Sequence, residues 1–125
     1  MNNSNFIHKG WLFKQSRYLK KWRKRYVILT QSQILTFHSE NINNNPTEVL
    51  QIRNVKNIQD DEEHSDKENA FSIEYDGRTF NFHTEDQEEK TKWMGLINKL
   101  LITRSIRSNT VTTTDYESSD DDLIS

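Results

Sequence analysis

Three basic residues near the start of the chain are candidates for holding an anion. Lys14 ends one apolar segment, and Arg23 and Arg25 open the next one. Arginine forks bind phosphate oxygens through bidentate, charge-assisted hydrogen bonds, each contributing about 1.5 to 3 kcal/mol. If the three side chains meet at one opening, they can hold a pair of neighbouring phosphate groups.

Side-chain alternation indicates that these cations meet. In a strand, residues two apart share a face, so Arg23 and Arg25 lie on the face of Val27, and Lys14 lies on the face of Leu12. If the apolar members of both rows point into a core, the cations emerge at its rim, beside the loop that joins the strands. A purely structural alternative is that exposed cations protect an edge strand from aggregation.

The charge distribution favours an anionic partner. Residues 1–39 contain eight Lys or Arg and no acid, a charge of +8, whereas the other 86 residues carry nine basic and 19 acidic side chains, 9 − 19 = −10. The molecule is therefore expected to be an electrostatic dipole with a basic pole. The alternative is a solvated charged face without a partner.

Hydrophobic periodicity predicts a β-rich domain closed by one helix. Asp76 and Gly77 form a favoured two-residue hairpin turn, and residues 60–68 are acidic enough to predict a surface loop. The predicted strands span residues 9–13, 22–29, 34–38, 48–52, 55–58, 71–75 and 78–83.

The predicted helix follows the last strand. Apolar residues recur at helical spacing from Trp93 to Leu101. Thr84 is the expected N-cap, with Gln87 completing a capping box. The expected domain spans residues 7–103, between a flexible N-terminus (1–6) and a disordered Ser/Thr/Asp-rich tail (104–125). The acids of this tail either mask the basic pole or are inert.

Composition narrows the function classes. The chain has no cysteine, which excludes disulfides and thiolate chemistry and suits a reducing compartment. No apolar run reaches the roughly 18 residues of a membrane span, so any membrane contact is expected to be peripheral. Its histidines lack metal-ligand spacing and its glycines form no phosphate loop, so we expect no enzyme and no cofactor.

The segment GWLFKQSRYLKKWRKRYVIL, residues 10–29, resembles the first two strands of pleckstrin homology (PH) domains. It is especially similar to those of protein kinase B and the cytohesins, which bind 3-phosphorylated inositol lipids. Trp93 stands where the PH family carries its signature tryptophan. The resemblance implies a mainly β fold, a partly open barrel of about seven antiparallel strands capped by one C-terminal α-helix.

The resemblance also implies a headgroup site. Lys14 and Arg25 would contact the phosphates at the 3 and 4 positions of the inositol ring, with Arg23 beside them. Arg17 replaces an acid of protein kinase B and raises the charge density. The complete set of implied phosphoinositide-binding residues is Lys14, Arg17, Tyr18, Arg23, Arg25, Asn54 and Arg78.

Other residues of this region have open alternatives. Lys20, Lys21 and Lys24 are expected to attract anionic lipid, at about 1 kcal/mol per cation near the surface, or to be merely solvated. Tyr18 and Leu19, at the loop tip, either dip into a membrane interface or pack within the loop.

The expected function is a phosphoinositide-binding membrane-recruitment module for 3-phosphorylated inositol lipids, the trisphosphate or the 3,4-bisphosphate. We expect a cytoplasmic monomer that is recruited peripherally to the inner face of the plasma membrane in signal transduction. The alternative is a PH-like interaction domain that binds an acidic peptide or protein. Nucleic acid is not an expected partner, because no aromatic stacking platform lies among the cations.

Overall fold

The computed structural model describes residues 5–112, and side chains as far as residue 104. Two short elements accompany the strands, a 3-10 turn at Ile52–Asn54 and α1 at Glu62–Ser65. The C-terminal helix α2 spans Gln87–Thr112. The strands are β1 (Phe6–Gln15), β2 (Trp22–Thr30), β3 (Gln33–Phe37), β4 (Glu48–Gln51), β5 (Val55–Asp60), β6 (Ala70–Tyr75) and β7 (Arg78–His83).

The seven strands form one antiparallel sheet in the order β4-β3-β2-β1-β7-β6-β5. β1 joins the two parts of this sheet. It pairs along its length with β2, but with β7 only through Phe13 and Lys14. The two edge strands, β4 and β5, do not pair with each other, so the barrel stays partly open. α2 packs mainly against β5. This arrangement confirms the predicted fold class.

The core fills the inside of the bent sheet. Val27 and Leu29 are fully buried from β2, and Leu12 is buried from β1. The predicted apolar stripe of α2 supplies Trp93 and Ile97, which are also buried. Burying such side chains is the main favourable contribution to folding, so the inward direction of the β1 and β2 rows is firmly set.

The sharpest local prediction, the β6–β7 hairpin, is confirmed. Asp76 and Gly77 have φ angles of 53° and 75°, as a two-residue turn of this kind requires. Tyr75 and Arg78 face each other across it. Arg78 is therefore held at the first position of β7, next to the turn.

Two elements extend past the predicted domain of residues 7–103, whose bounds as a domain stay a prediction. Phe6, assigned to the flexible N-terminus, belongs to β1 and pairs with Thr30. The segment 104–112, assigned to the disordered tail, continues α2 to Thr112. The rest of the predicted tail, and its proposed masking of the basic pole, lie outside the described residues.

The acidic segment 60–68 is more structured than the predicted surface loop. It contains the helical turn α1, and Asp61 is buried and accepts a 2.6 Å hydrogen bond from Asn81 Nδ2. Lys90 of α2 is also buried; its ammonium group contacts the carboxylate of Asp60 and lies 2.9 Å from Glu62 Oε2. These ion pairs fasten the segment to the helix, which a count of acids does not predict.

The predicted helix cap is wrong by two residues. Asp86 caps α2, because its Oδ1 accepts a 2.8 Å hydrogen bond from the backbone N–H of Glu89. Thr84 is buried, and its hydroxyl donates to the carbonyl of Asp86 instead. Both residues begin a capping-box pattern. Thr84 is buried directly after β7, and α2 begins only at Gln87, which leaves Asp86 at the N-cap position.

Candidate basic headgroup site

Four cations line one cleft at the end of the β1–β2 hairpin. The basic cleft, as we call it, has a volume of about 250 Å³ and is formed by Lys14, Arg17, Arg23 and Arg25 together with Ser16. The strand register explains the grouping, since Lys14 is the cross-strand partner of Arg23 and Leu12 that of Arg25. The core-facing rows of both strands therefore end in cations that converge on one opening, as the alternation of side chains predicts.

The β1–β2 loop is closed tightly at its base. The Ser16 N–H donates to the Lys21 carbonyl at 2.7 Å, and the Lys21 N–H donates to Ser16 Oγ at 3.0 Å. Tyr18 and Leu19 stand at the tip with 81% and 66% of their surfaces exposed. The tip is thus not packed within the loop, and it carries two large apolar side chains beside the basic cleft.

An acidic residue that the sequence interpretation missed also lies at this opening. Glu48 Oε1 lies 2.9 Å from Lys14 Nζ, and Glu48 Oε2 accepts a 3.2 Å hydrogen bond from Arg78 NH1. The side chains of Lys14 and Glu48 are only 14% and 25% exposed. One carboxylate therefore bridges two of the cations that were expected to face a ligand.

The signal for Glu48 is present in the sequence. Glu48 is two residues from buried Leu50, so it continues the core-facing row of β4, just as Lys14 continues the row of Leu12. The two cations that contact Glu48, Lys14 and Arg78, also lie over the ring of the buried residue Phe80. The ring centroid is 5.5 Å from Lys14 Nζ and 4.0 Å from Arg78 Cζ. The row of β4 thus contributes an acid where β1, β2 and β7 contribute bases.

The two remaining residues of the implied site are placed differently. Arg78 lines a neighbouring cleft with Glu48, and Arg17 lies at the border because it lines both. Asn54 is exposed in the 3-10 turn between β4 and β5, and it lines neither of these clefts. The geometry therefore supports grouping Arg78 with the site through Glu48, and does not group Asn54 with it.

The three lysines expected to act electrostatically are all exposed. Lys20 and Lys21 lie in the loop beside Tyr18 and Leu19. The Nζ atom of Lys24 lies 5.1 Å from the ring centroid of Trp11, on the outer face of the sheet. Lys24 is thus separated from the basic cleft by strand alternation, although it adds to the same basic pole.

The histidines are not arranged as a metal site. Within residues 5–112, no group of three or more His, Cys, Asp or Glu residues is placed to hold a metal ion. The ring of His83 stacks on Phe13 at 4.6 Å and meets Trp22 edge-on at 4.8 Å. Burial lowers the pKa of His83 and so favours its neutral ring. The contacts of this ring with Phe13 and Trp22 help to hold β1 against β7.

α2 and the other described helices offer no stretch that is both long and apolar enough to cross a bilayer.

The chain belongs to the PH domain family, whose profile matches residues 6–101. It is 28% identical over 106 residues to pleckstrin homology domain-containing protein 1 of Arabidopsis thaliana, covering 82% of this chain and 73% of that protein. It is 26% identical over 100 residues to the ventricular zone-expressed PH domain-containing protein homolog 1 of Rattus norvegicus, covering 78% of this chain but only 12% of that much longer protein.

Solved structures show the same fold. The Slm1-PH domain in complex with phosphoserine superposes with a TM-score of 0.66 at 18% identity, covering 78% of this chain and 97% of that one. The C-terminal PH domain of pleckstrin, solved in complex with D-myo-Ins(1,2,3,4,5)P5, superposes with a TM-score of 0.63 at 22% identity, covering 76% and 97% of the two chains. At these identities the likeness establishes the fold alone.

Proposed function

We propose that this PH domain binds phosphoinositide headgroups in the basic cleft and thereby recruits the chain, as a peripheral protein, to the inner face of the plasma membrane. The ligands are 3-phosphorylated inositol lipids, and binding them is the function, without a catalytic step. The observation that carries the proposal is the convergence of Lys14, Arg17, Arg23 and Arg25 on one cleft.

The chemistry of the cleft fits a polyphosphorylated ring. A phosphate monoester carries a charge of about −1.5 to −2, so two neighbouring phosphates carry about as much charge as the four cations, of which Lys14 is already paired with Glu48. Arg23 and Arg25 present forks that engage oxygens in pairs, whereas Lys14 supplies a point charge. Arg25 is pre-oriented, since its NH1 donates a 2.9 Å hydrogen bond to the Lys24 carbonyl.

Similar structures support this class of ligand. The Slm1-PH domain has been solved with inositol-4-phosphate, and the C-terminal PH domain of pleckstrin with D-myo-Ins(1,2,3,4,5)P5. Both ligands combine an inositol ring with phosphate. These complexes support an inositol phosphate as the class of ligand, whereas its position in this chain is proposed from the cations of the basic cleft, because the Slm1-PH domain is described as binding its ligand in a non-canonical site.

The exposed loop tip supports membrane docking. A headgroup in the basic cleft is bounded by Arg17, and Tyr18 and Leu19 follow at once in the chain. A lipid held by its phosphates therefore lies next to two apolar side chains that are still in water. Their transfer into the bilayer interface adds affinity for the membrane that a soluble headgroup does not provide.

Pelleting of the chain with vesicles that contain a 3-phosphoinositide tests the proposal. Arg25→Ala removes one fork and is expected to weaken binding about 10-fold or more, because one charge-assisted hydrogen bond contributes roughly 1.5 to 3 kcal/mol. Arg53→Ala is the matched control, since Arg53 is an exposed arginine of the 3-10 turn and lines neither cleft. Unchanged pelleting of the Arg25 variant would refute the pocket assignment.

A second candidate is the binding of an acidic peptide on the outer face of the sheet. A groove of about 550 Å³ lies there, lined by one cation, Lys9, one acid, Glu40, and mainly uncharged residues such as Tyr26, Ile28 and Phe37; the exposed Lys24 on the same face would supply further positive charge for an acidic peptide. Competition separates the candidates. Soluble inositol tetrakisphosphate displaces the chain from vesicles if the basic cleft holds the lipid, but leaves a peptide on the outer face bound.

A further inference from the structure

Glu48 places a negative charge beside the basic cleft, in the neighbouring cleft that shares Arg17 with it. Both of its carboxylate oxygens are engaged, one by Lys14 at 2.9 Å and the other by Arg78 at 3.2 Å. The carboxylate is held in place from below as well, because both cations rest on the buried ring of Phe80. It therefore occupies the position between these cations that a phosphate would otherwise take.

The ion pairs divide the opening into two sides. Arg23 and Arg25 form no ion pair with an acid among the described residues, so their positive charges remain for a ligand, and of the Arg25 fork only NH1 is engaged, by the Lys24 carbonyl. Arg78 lies on the other side, in the cleft that Glu48 itself lines. A phosphate directed to Arg23 and Arg25 meets cations, whereas a phosphate directed to Arg78 also meets the acids Glu48 and Asp76, which line the same cleft.

We infer that Glu48 is a specificity-determining residue: it restricts the site to headgroups with two adjacent ring phosphates and discriminates against a third phosphate on the Arg78 side. This inference rests on the proposed function and selects within it. With the 3- and 4-phosphates assigned to the side of Arg23 and Arg25 and the additional phosphate of the trisphosphate assigned to the Arg78 side, it favours the 3,4-bisphosphate over the trisphosphate. Glu48 offsets one of its two cations, so the Lys14–Glu48–Arg78 group keeps a net charge of only +1, and a third phosphate gains less attraction there than two free cations would give.

Titration calorimetry with two soluble headgroups tests this directly. Inositol 1,3,4-trisphosphate represents the bisphosphate lipid, and inositol 1,3,4,5-tetrakisphosphate represents the trisphosphate lipid. Glu48→Gln keeps the size of the side chain and removes its charge. We expect it to raise the affinity for the tetrakisphosphate about 10-fold, a change of roughly 1.4 kcal/mol, and that for the trisphosphate by less than about threefold.

Two further variants keep the result interpretable. Glu74→Gln removes an equal charge from another strand residue, whose carboxylate accepts a hydrogen bond from Asn57 and which lines neither cleft; we expect the ratio of the two affinities to stay as in the original chain. Glu48→Thr, which suits a strand, replaces the glutamine variant if that one fails to fold. Thermal unfolding of each variant verifies its fold.

The outcomes separate this inference from the proposed function. If the original chain binds both headgroups and Glu48→Gln changes both affinities by the same factor, or lowers that for the tetrakisphosphate, Glu48 sets no specificity while the site itself stands. If neither the original chain nor the glutamine variant binds either headgroup, both the site and the role of Glu48 fail. A rise confined to the tetrakisphosphate supports both.

Discussion

The tip of the β1–β2 loop yields a prediction that separates membrane insertion from headgroup binding. Leu19 has 66% of its surface exposed. Fully burying a leucine side chain contributes about 1.5 to 3 kcal/mol, so the exposed two-thirds can contribute roughly 1 to 2 kcal/mol on entering a bilayer interface. Leu19→Ala keeps one methyl group of this surface. We expect it to lose about 1 kcal/mol, or fivefold, in affinity for vesicles.

The same substitution is expected to leave binding of the soluble headgroup unchanged. Leu19 does not line the basic cleft, whose cations lie below the tip. The assay is therefore a pair of measurements on one variant: vesicle binding by pelleting, and inositol 1,3,4-trisphosphate binding by calorimetry. Ile102→Ala is the matched control, because Ile102 is an aliphatic residue of α2 with 56% of its surface exposed.

Two results would refute this reasoning in different ways. Equal vesicle affinity of Leu19→Ala and the original chain would mean that the tip stays in water when the lipid is bound. An equal loss for vesicles and for the soluble headgroup would mean that Leu19 acts by shaping the cleft and not by entering the bilayer.

Two further predictions concern stability. Hydrogen bonds from Lys90 lower the pKa of Asp60 and of Glu62. The ion pairs therefore contribute stability that is fully present above the ordinary pKa values of 3.8 and 4.5 and is lost as the pH falls through the lower folded-state values. Urea unfolding from pH 7 to pH 2 is expected to show this loss of stability, and Lys90→Met is expected to make the loss smaller. Trp93→Ala is expected to cost about 3 to 5 kcal/mol in the free energy of unfolding, and Trp93→Phe less, because Trp93 Nε1 has no hydrogen-bond partner among the described residues; equal losses in urea unfolding would contradict this reading.

Local alternation was enough to predict how the basic cleft forms. Arg23, Arg25 and Val27 lie on one face of β2 because side chains alternate along any strand, and the burial of Val27 fixes which face is inside. Lys14 follows Leu12 by the same rule. The pairing of Lys14 with Arg23 then follows from a hairpin between adjacent strands, which is the simplest long-range contact to predict.

Glu48 shows where this local reasoning stops. Its place on the face of Leu50 follows from the sequence, but its contact with Lys14 and Arg78 requires β4, β1 and β7 to meet at one end of the barrel. These strands are far apart in the chain, and β4 is not a sheet neighbour of either of the others. Only the folded structure shows that the acid Glu48 lies among the basic residues.

The acidic residues near α2 show the same limit. Asp60 and Glu62 read as solvated charges in the sequence, because they belong to a mostly acidic segment and their buried partner lies far away in the chain. Their partner, Lys90, comes from α2 and is only 4% exposed. Such ion pairs between distant segments depend on how the helix packs on β5, which local patterns do not specify.

The basic cleft and the loop tip are useful together because one short loop connects them. In the proposed complex, a headgroup held by Arg23 and Arg25 would lie beside Arg17, and the tip residue Tyr18 is the next residue in the chain. Once the phosphates are bound, the tip is held close to the bilayer, so its insertion becomes an intramolecular step with a high effective concentration.

The acidic connections that precede β6 and follow β7 lie at the opposite end of these strands from the Asp76–Gly77 hairpin. An anionic surface therefore attracts the end that carries the cleft and repels the other end, so long-range electrostatics orients the domain before specific contacts form.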